Sequence, residues 1–142
     1  MLCYEDCGVW LPSHFKLSEF DNADGYAMID SSVVRSLELT RKALGRQYGC
    51  DVRIIVTCAT RTAEHNERLG SELGWTDEGG LVARDSRHLA KYGGIAVDIC
   101  AEFDIEGVCT PVVQTNLASA CRDHFAYVKA DYQDGHVHAD NR

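Results

Sequence analysis

Apolar and polar residues alternate at helical spacing after Asp30. The apolar positions on one face are Val33, Leu37 and Leu44, with Val34 and Ala43 at the flank. This spacing is typical of a helix that packs one side against a core. Asp30 is a favoured N-cap residue, and a glycine, Gly45 or Gly49, is a favoured helix end. The pattern therefore predicts a long amphipathic helix that begins near Asp30.

Other stretches have the β-branched content or the alternation of strands. Residues 51–57 (DVRIIVT) predict a short strand, and residues 94–100 (GIAVDIC) predict a buried one. Near the C-terminus FAYVKA alternates, and YQDG forms a turn that leads into HVHAD. This last pattern predicts a β-hairpin.

Turn and cap residues indicate two further helices. Residues 58–70 (CATRTAEHNERLG) predict a turn followed by a short helix. Thr110 and Pro111 are an N-cap type and a favoured first helical residue, and they predict a helix that runs to about Asp123. Residues 74–85 carry three glycines and no periodicity, which is typical of a surface loop.

These elements predict a single α+β domain spanning residues 1–142, with helices packed on a small, mainly antiparallel sheet. The apolar side chains expected to hold the N-terminal segment on its core are Phe15, Leu17 and Phe20. A hydrophobic content of 45% and a charged content of 25% are ordinary for a soluble globular protein. No stretch is apolar for long enough to cross a bilayer, so we expect no membrane partner.

The charge and the cysteines narrow the function classes further. A formal net charge of -8 argues against nucleic-acid binding, because that requires a basic face. As a separate expectation, we predict a monomer. The acidic N-terminus MLCYEDCGVW lacks the basic and apolar regions of a signal peptide, so we expect synthesis in the cytoplasm. The seven cysteines include no CxxC pair. We expect mostly buried, reduced thiols, with a disulfide or two as the alternative for a protein that works outside the cell.

Two segments carry the residue types of a metal site. SRHLAKYGGIAVD contains His88 and Asp98 on either side of a Gly-Gly turn, and HVHAD contains His136 and His138. Because side chains two apart on a strand share a face, both histidines of HVHAD are expected on one side. Pairing of HVHAD beside GIAVD would bring all four groups together. Each residue also has an ordinary structural alternative: a solvated or core histidine, or an Asp98 that caps a turn or pairs with an arginine.

At this point the sequence resembles the zinc D-Ala-D-Ala carboxypeptidases and L-alanyl-D-glutamate endopeptidases, which are related to murein endopeptidase and the hedgehog signalling domain. The family pattern is roughly SxHxxGxAxD followed by a late hairpin bearing xHxD. The matching residues are Ser86, His88, Gly94, Ala96, Asp98, Val137, His138 and Asp140. HFKLSEF, the helix beginning IDSSVVRSLELTR, and TCATRTAEHN correspond to the family's opening, first helix and arginine-containing turn. The resemblance thus covers nearly the whole chain and implies a hedgehog/D-Ala-D-Ala-peptidase-like fold.

The resemblance also implies roles for single residues. His88, Asp98 and His138 become the Zn²⁺ ligands. Ser86 and Arg61 become the residues that hold a carboxylate or carbonyl of the substrate, which suits the fork of a guanidinium; a structural salt bridge is the alternative for Arg61.

The sequence departs from the family in two places. The spacing of ten residues between His88 and Asp98 is longer than usual, so the extra residues in AKYGG are expected to form a longer loop that reshapes the substrate cleft. Where many carboxypeptidases of the family carry an acidic residue, this chain has Gly135. Relatives similar to murein endopeptidase have HxH with the first histidine in the active site, so the resemblance implies His136 as the first candidate for the general base and Asp134 as the second.

The implied function is a zinc metallopeptidase that hydrolyses amide bonds in peptidoglycan stem peptides containing D-amino acids. His136 or Asp134 would assist proton transfer, and zinc with His136 or Arg61 would stabilise the oxyanion. A phage or prophage endolysin, which reaches the periplasm or cell wall after release, is one setting, and a cytoplasmic peptide-processing enzyme is another. The alternatives from other classes are a non-catalytic zinc-binding module and a phage structural component.

Overall fold

The computed structural model describes residues 2–3, 14–22 and 24–142. This part of the chain forms three α-helices and a five-stranded antiparallel sheet, which confirms the predicted α+β class. A further short pair, β1 (Leu2–Cys3) and β2 (Met28–Ile29), is also antiparallel. None of the described helices is both long enough and apolar enough to cross a lipid bilayer.

The first helix, α1, spans Ser31–Tyr48. The Asp30 side chain accepts a hydrogen bond from the Ser32 amide, as an N-cap does. Gly49, with φ of 67°, ends the helix in the left-handed region. The predicted start is therefore confirmed, and of the two candidate glycines it is Gly49 that ends the helix. Its fully buried apolar residues include Val33, Leu37 and Leu44.

The sheet has the strand order β3-β4-β7-β6, with β5 paired to β4. The strands are β3 (Arg53–Cys58), β4 (Ala96–Ile105), β5 (Val108–Pro111), β6 (Tyr127–Lys129) and β7 (Val137–Asp140). The predicted strands at residues 51–57 and 94–100 and the predicted C-terminal hairpin are confirmed. The remaining helices are α2 (Ala63–Leu73), also as predicted, and α3 (Gln114–Arg122).

Strand β4 separates the core from the opposite face of the sheet. Its residues alternate between buried and half-buried, as expected for a strand with one covered face. The buried set joins the core beneath α1 and α3 and comprises Val97, Ile99, Ala101 and Phe103. The half-buried set, on the other face, begins with Asp98. Phe15, Leu17 and Phe20 are buried in the same core, so the expected anchoring of this segment is confirmed.

The prediction of a helix start at Thr110 and Pro111 is wrong. Both residues belong to β5, where they pair with Phe103 and Glu102. The cause is a tight turn at Glu106 and Gly107, whose φ values of 50° and 80° are both positive. Such a turn matches the twist of a hairpin and returns the chain to β4. The sheet pairing thus outcompetes the local helix signal, and α3 begins only at Gln114.

Residues 74–85 are more ordered than the predicted surface loop. Trp75 and Val82 are buried and bridge each other, and residues 76–78 form a 3-10 turn. Trp75 also covers Gly70 on α2 so closely that a side chain at Gly70 would collide with the indole. Gly70 therefore allows Trp75 to pack closely on α2, and it does not end the helix.

Five cysteines have described side chains, and all five are free thiols. Cys121 is buried, Cys109 is exposed, and Cys50, Cys58 and Cys100 are half-buried. The five free thiols agree with the expected reduced state. The expected burial is found in full only at Cys121. The side chains of Cys3 and Cys7 lie outside the described residues.

Candidate metal centre

The side chains of three candidate ligands, His88, Asp98 and His138, meet at one point. Two of them lie on adjacent strands, and His88 lies in the segment that precedes β4. Asp98 on β4 is the direct cross-strand partner of His138 on β7, so the predicted pairing of HVHAD beside GIAVD is confirmed. Direct partners in an antiparallel pair point to the same face, with Cβ atoms about 4.5–5.5 Å apart. The sheet register therefore aims both side chains at one point.

His88 reaches this point from the segment between α2 and β4. Its backbone carbonyl accepts a hydrogen bond of 2.7 Å from the Arg61 amide, which ties the segment to the turn after β3. The His88 side chain is only 3% exposed. Its Nδ1 lies 2.7 Å from the carbonyl oxygen of Ala59, and this contact orients the ring with Nε2 towards Asp98.

The three side chains place one donor atom each at the corners of a nearly equilateral triangle. His88 Nε2 lies 3.0 Å from Asp98 Oδ1 and 3.1 Å from His138 Nδ1. His138 Nδ1 lies 3.0 Å from the same Asp98 oxygen. Ligands held at 2.0–2.1 Å around a tetrahedral zinc are about 3.3 Å apart. The triangle therefore fits a metal ion placed just above its plane.

The other ring nitrogens determine which atoms can bind a metal. A carbonyl oxygen only accepts, so His88 Nδ1 donates its proton to Ala59. His138 Nε2 lies 2.8 Å from Oδ2 of the ionised Asp140 and donates to it. In the neutral rings, Nε2 of His88 and Nδ1 of His138 then carry no proton. Their lone pairs point at each other and at the carboxylate oxygen of Asp98. A cation or additional protons must offset that repulsion.

The electrostatics of these three side chains agree with this requirement. Burial disfavours the charged imidazole of His88, but Asp98 outweighs burial and raises the pKa of His88 to about 10. Burial opposes ionisation of Asp98 as well, yet the contacts with His138 and His88 hold its pKa well below the usual range. A proton therefore occupies the imidazole of His88 until a metal displaces it.

Asp140 completes the support of His138. It is fully buried and accepts two hydrogen bonds from the guanidinium of Arg142, at 2.8 and 2.7 Å. Burial raises the pKa of Asp140, but Arg142 and His138 more than compensate and keep it well below its usual value. A metal-binding histidine that donates its second N–H to a carboxylate is the usual arrangement at metal sites.

We expect the Asp140→Asn variant to bind Zn²⁺ about 10–100-fold more weakly than the wild type. Asparagine keeps the size of the side chain but removes the charge that orients His138. Isothermal titration with Zn²⁺ measures the change, and Asp131→Asn, at an exposed acidic residue of the cleft, is the control. Equal affinity of Asp140→Asn and wild type would contradict a supporting role for Asp140.

His136 lies beside the triangle rather than in it. Its Nε2 is 3.9 Å from Asp98 Oδ2, while its Nδ1 lies 2.5 Å from Asp134 Oδ1. The ring stacks on Tyr132, with centroids 3.9 Å apart. Gln114 holds the loop by donating to the carbonyl oxygens of Tyr132 and His136. The structure thus brings His136 and Asp134 together next to the donor atoms, with Nε2 of His136 left for chemistry.

Arg61 and Ser86 lie at the same site. Arg61 donates from one terminal nitrogen to Asn66 Oδ1 at 3.0 Å, while its buried Nε has no hydrogen-bond partner among the described residues. A buried donor without an acceptor is costly. Arg61 forms no salt bridge with any described residue, so the alternative of a structural salt bridge does not account for its burial. The Ser86 hydroxyl oxygen accepts from the His88 amide at 3.2 Å, which leaves its proton available to another acceptor.

These groups share one cleft of about 1000 Å³. The lining contains the candidate metal donors together with Arg61, Ser86 and His136. It also contains apolar side chains, including Leu73 from α2 and Leu81 from the following segment. A volume of this size is sufficient for a short peptide.

The extra residues in AKYGG do not line this cleft, which corrects the expectation that they reshape it directly. Residues 90–92 form a 3-10 turn, and Gly94 packs on the backbone of β2. The turn acts on the rim only indirectly, because Lys91 and Tyr92 both bind the carboxylate of Asp85.

Sequence reasoning missed Cys58. Cys58, His88 and Asp98 form a group whose ligand atoms all lie within 4.8 Å of one another, so this group could hold a metal ion. Burial opposes ionisation of the Cys58 thiol, but the neighbouring His88 lowers its pKa overall. The only signal in the sequence was the position of Cys58 in TCATRT, directly after the predicted strand. The register of the sheet is needed to place it beside Asp98.

Comparison of the chain with protein-family models, with curated proteins and with solved structures finds no match.

Proposed function

We propose that this protein is a zinc-dependent peptidase that hydrolyses amide bonds in peptidoglycan stem peptides containing D-amino acids. The observation that supports this best is the triangle of donor atoms from His88, Asp98 and His138, whose side chains line a cleft. Two imidazoles and one carboxylate are a common ligand set of catalytic zinc, with a fourth position left open. The resemblance of SRHLAKYGGIAVD and HVHAD to the peptidoglycan peptidases suggests the substrate class.

The finer fold assignment is part of this proposal. We infer a hedgehog/D-Ala-D-Ala-peptidase-like arrangement, in which the histidine and aspartate flank the start of a central strand and the last ligand lies on the adjacent hairpin. The pairing of Asp98 with His138 supports it. The setting we propose is peptidoglycan reached after release from the cytoplasm, as for a phage or prophage endolysin.

Zinc bound in this site would activate water and polarise the scissile carbonyl. The chain's own residues would supply the proton transfers and the positioning. His136 Nδ1 donates to Asp134, so its Nε2 is the unprotonated nitrogen and accepts a proton as a general base. Asp134 fixes that tautomer and orients the ring, a role distinct from the second candidate base that the sequence indicated.

Arg61 is suited to hold an acidic or carbonyl group of the substrate. Arg61 lines the cleft, and Asn66 Oδ1 holds one of its terminal nitrogens at 3.0 Å. A carboxylate that reaches the remaining terminal donors would form charge-assisted hydrogen bonds. Ser86 lies two residues from His88, in the same cleft, and has a hydroxyl proton to donate. Together they would orient the scissile bond relative to His136.

The alternative we retain is a non-catalytic zinc module. It is favoured by one observation, the position of Cys58 beside the donor atoms, because a fourth protein ligand is typical of structural zinc. The experiment below separates the two functions.

We expect the zinc-loaded wild type to release peptides from purified peptidoglycan and the His136→Ala variant to do so about 100- to 10,000-fold more slowly, the usual loss for a general base. His136→Ala should retain zinc, since His136 is not one of the three donors. Mass spectrometry of the released peptides and elemental analysis measure the two properties. His14→Ala, which removes an exposed histidine outside the cleft, is the matched control.

Walls with different stem peptides and cross-links should be tested, with and without a chelator. Release by the wild type that stops on chelation supports a zinc peptidase. A wild type that carries stoichiometric zinc but releases nothing from any of these walls would refute the enzymatic proposal and favour the zinc module.

A further inference from the structure

Asp98 has a neighbour on each side in the same row of the sheet. On the β7 side the partner is His138, and on the β3 side the partner is Cys58. The Cβ atoms of such partners are about 4.5–5.5 Å apart. The ligand atoms of Cys58, His88 and Asp98 all lie within 4.8 Å of one another, so the Cys58 thiol is close to the metal position that Asp98 shares with His138.

A bulge in β3 aims Cys58 at this position. The register of β3 against β4 shifts between Val56 and Cys58. Bulges re-aim side chains and are frequent beside functional sites. Without the shift, the alternation of β3 would turn the residue after Thr57 towards the core, whereas Cys58 instead lines the cleft.

The thiol has only weak partners where it stands. Its Sγ lies 3.6 Å from the carbonyl oxygen of Ala59 and 3.8 Å from His88 Nδ1. Both of those atoms are already joined to each other by a hydrogen bond of 2.7 Å. A small rotation about the Cα–Cβ bond of Cys58 would therefore break no strong contact.

We propose that Cys58 is a fourth ligand of the zinc in a closed form of the centre. This inference rests on the metal site of the proposed function. On binding, the S–H bond of Cys58 breaks, its proton passes to solvent, and the sulfur takes the fourth coordination position. A thiolate in that position favours soft metal ions, and it leaves no room for a substrate carbonyl. Cys58 must then leave the metal before hydrolysis, so it controls the resting state.

Cys100 provides a matched comparison on the same face. It lies two residues from Asp98 on β4, is also half-buried, and is also a free thiol. It belongs to no group of metal-binding side chains among residues 14–22 and 24–142. A serine at Cys100 controls for loss of a thiol near the site.

The test is the absorption spectrum of the protein reconstituted with Co²⁺ under reducing conditions. A thiolate bound to Co²⁺ gives a sulfur-to-metal charge-transfer band in the near ultraviolet. We expect this band in the wild type and in Cys100→Ser, and its loss in Cys58→Ser. Thermal unfolding and Co²⁺ titration of each variant verify that the protein is folded and loaded.

A wild type that binds Co²⁺ without the band overturns the role of Cys58 and leaves the three-ligand site intact. A band that persists in Cys58→Ser overturns the assignment of the sulfur to Cys58. Failure of all three folded proteins to bind Co²⁺ or Zn²⁺ overturns the metal site itself, and with it both proposals.

Discussion

His88→Ala is expected to abolish high-affinity zinc binding and, with it, release of peptide from peptidoglycan. His88 contributes one of three donor atoms, and its ring is held by the Ala59 carbonyl with no exposed position to relax into. Structural zinc sites in zinc-finger peptides have apparent binding free energies of about 10–16 kcal/mol, and we use this range as the scale for the present site. If three ligands share this equally, the loss is about 3–5 kcal/mol, which is a factor of several hundred to several thousand in affinity.

The loss of zinc binding in His88→Ala can also be measured without a substrate, from the thermal stability of the protein. At a thousandfold excess of free zinc over Kd, the wild type should gain about 4 kcal/mol of stability, and its Tm should rise accordingly. His88→Ala should show little of this rise. His14→Ala, which removes an exposed histidine paired with Glu38 on α1, should keep the full effect. If His88→Ala binds zinc as tightly as wild type, the ligand assignment is wrong.

Gly94→Ala is expected to destabilise the protein by about 3 kcal/mol. Gly94 has φ of 78°, a conformation in which alanine is strained by about 1–2 kcal/mol. An added Cβ would also lie 2.8 Å from the Cα of Ile29 and 2.9 Å from the carbonyl oxygen of Met28. Backbone atoms cannot rotate away, so overpacking adds about 1–3 kcal/mol. Urea unfolding, monitored by circular dichroism, measures the loss.

Gly107 separates the two contributions. Its φ of 80° is nearly the same, but a Cβ there would meet no atom within 4 Å. Gly107→Ala should therefore lose only the conformational part, about 1–2 kcal/mol. Equal losses at both positions would show that the contact between Gly94 and β2 contributes nothing, and that the turn before β4 is free of β2.

The local patterns of the chain were sufficient for the elements with strong periodicity. Helix α1 has an apolar stripe, an N-cap at Asp30 and a left-handed glycine at its end, and all three signals depend on neighbouring residues alone. The meeting of Asp98 with His138 was also predictable, because the strand period and the hairpin turn imply which side chains share a face. The choice of His88, Asp98 and His138 as the ligand set came from the family resemblance and stays a prediction.

The elements that were mispredicted are those in which a distant pairing competes with a local signal. Thr110 and Pro111 have the residue types of a helix start, but the hairpin turn at Glu106 and Gly107 offers them hydrogen bonds to β4. The AKYGG segment has the length of a bulging loop, yet contact between Gly94 and β2 draws it away from the cleft. Neither competition can be evaluated without the partner strand.

The sequence by itself indicated His88, Asp98 and the histidines of HVHAD as candidate ligands, and that two separate segments had to meet, but it did not indicate Cys58. Only the tertiary structure decided how the neighbours of those residues are used. Asp140 supports His138 and Cys58 adjoins Asp98 because of strand register and a bulge. Register depends on how the buried face of the whole sheet packs on α1 and α3, and that packing energy is spread over residues far apart in the chain.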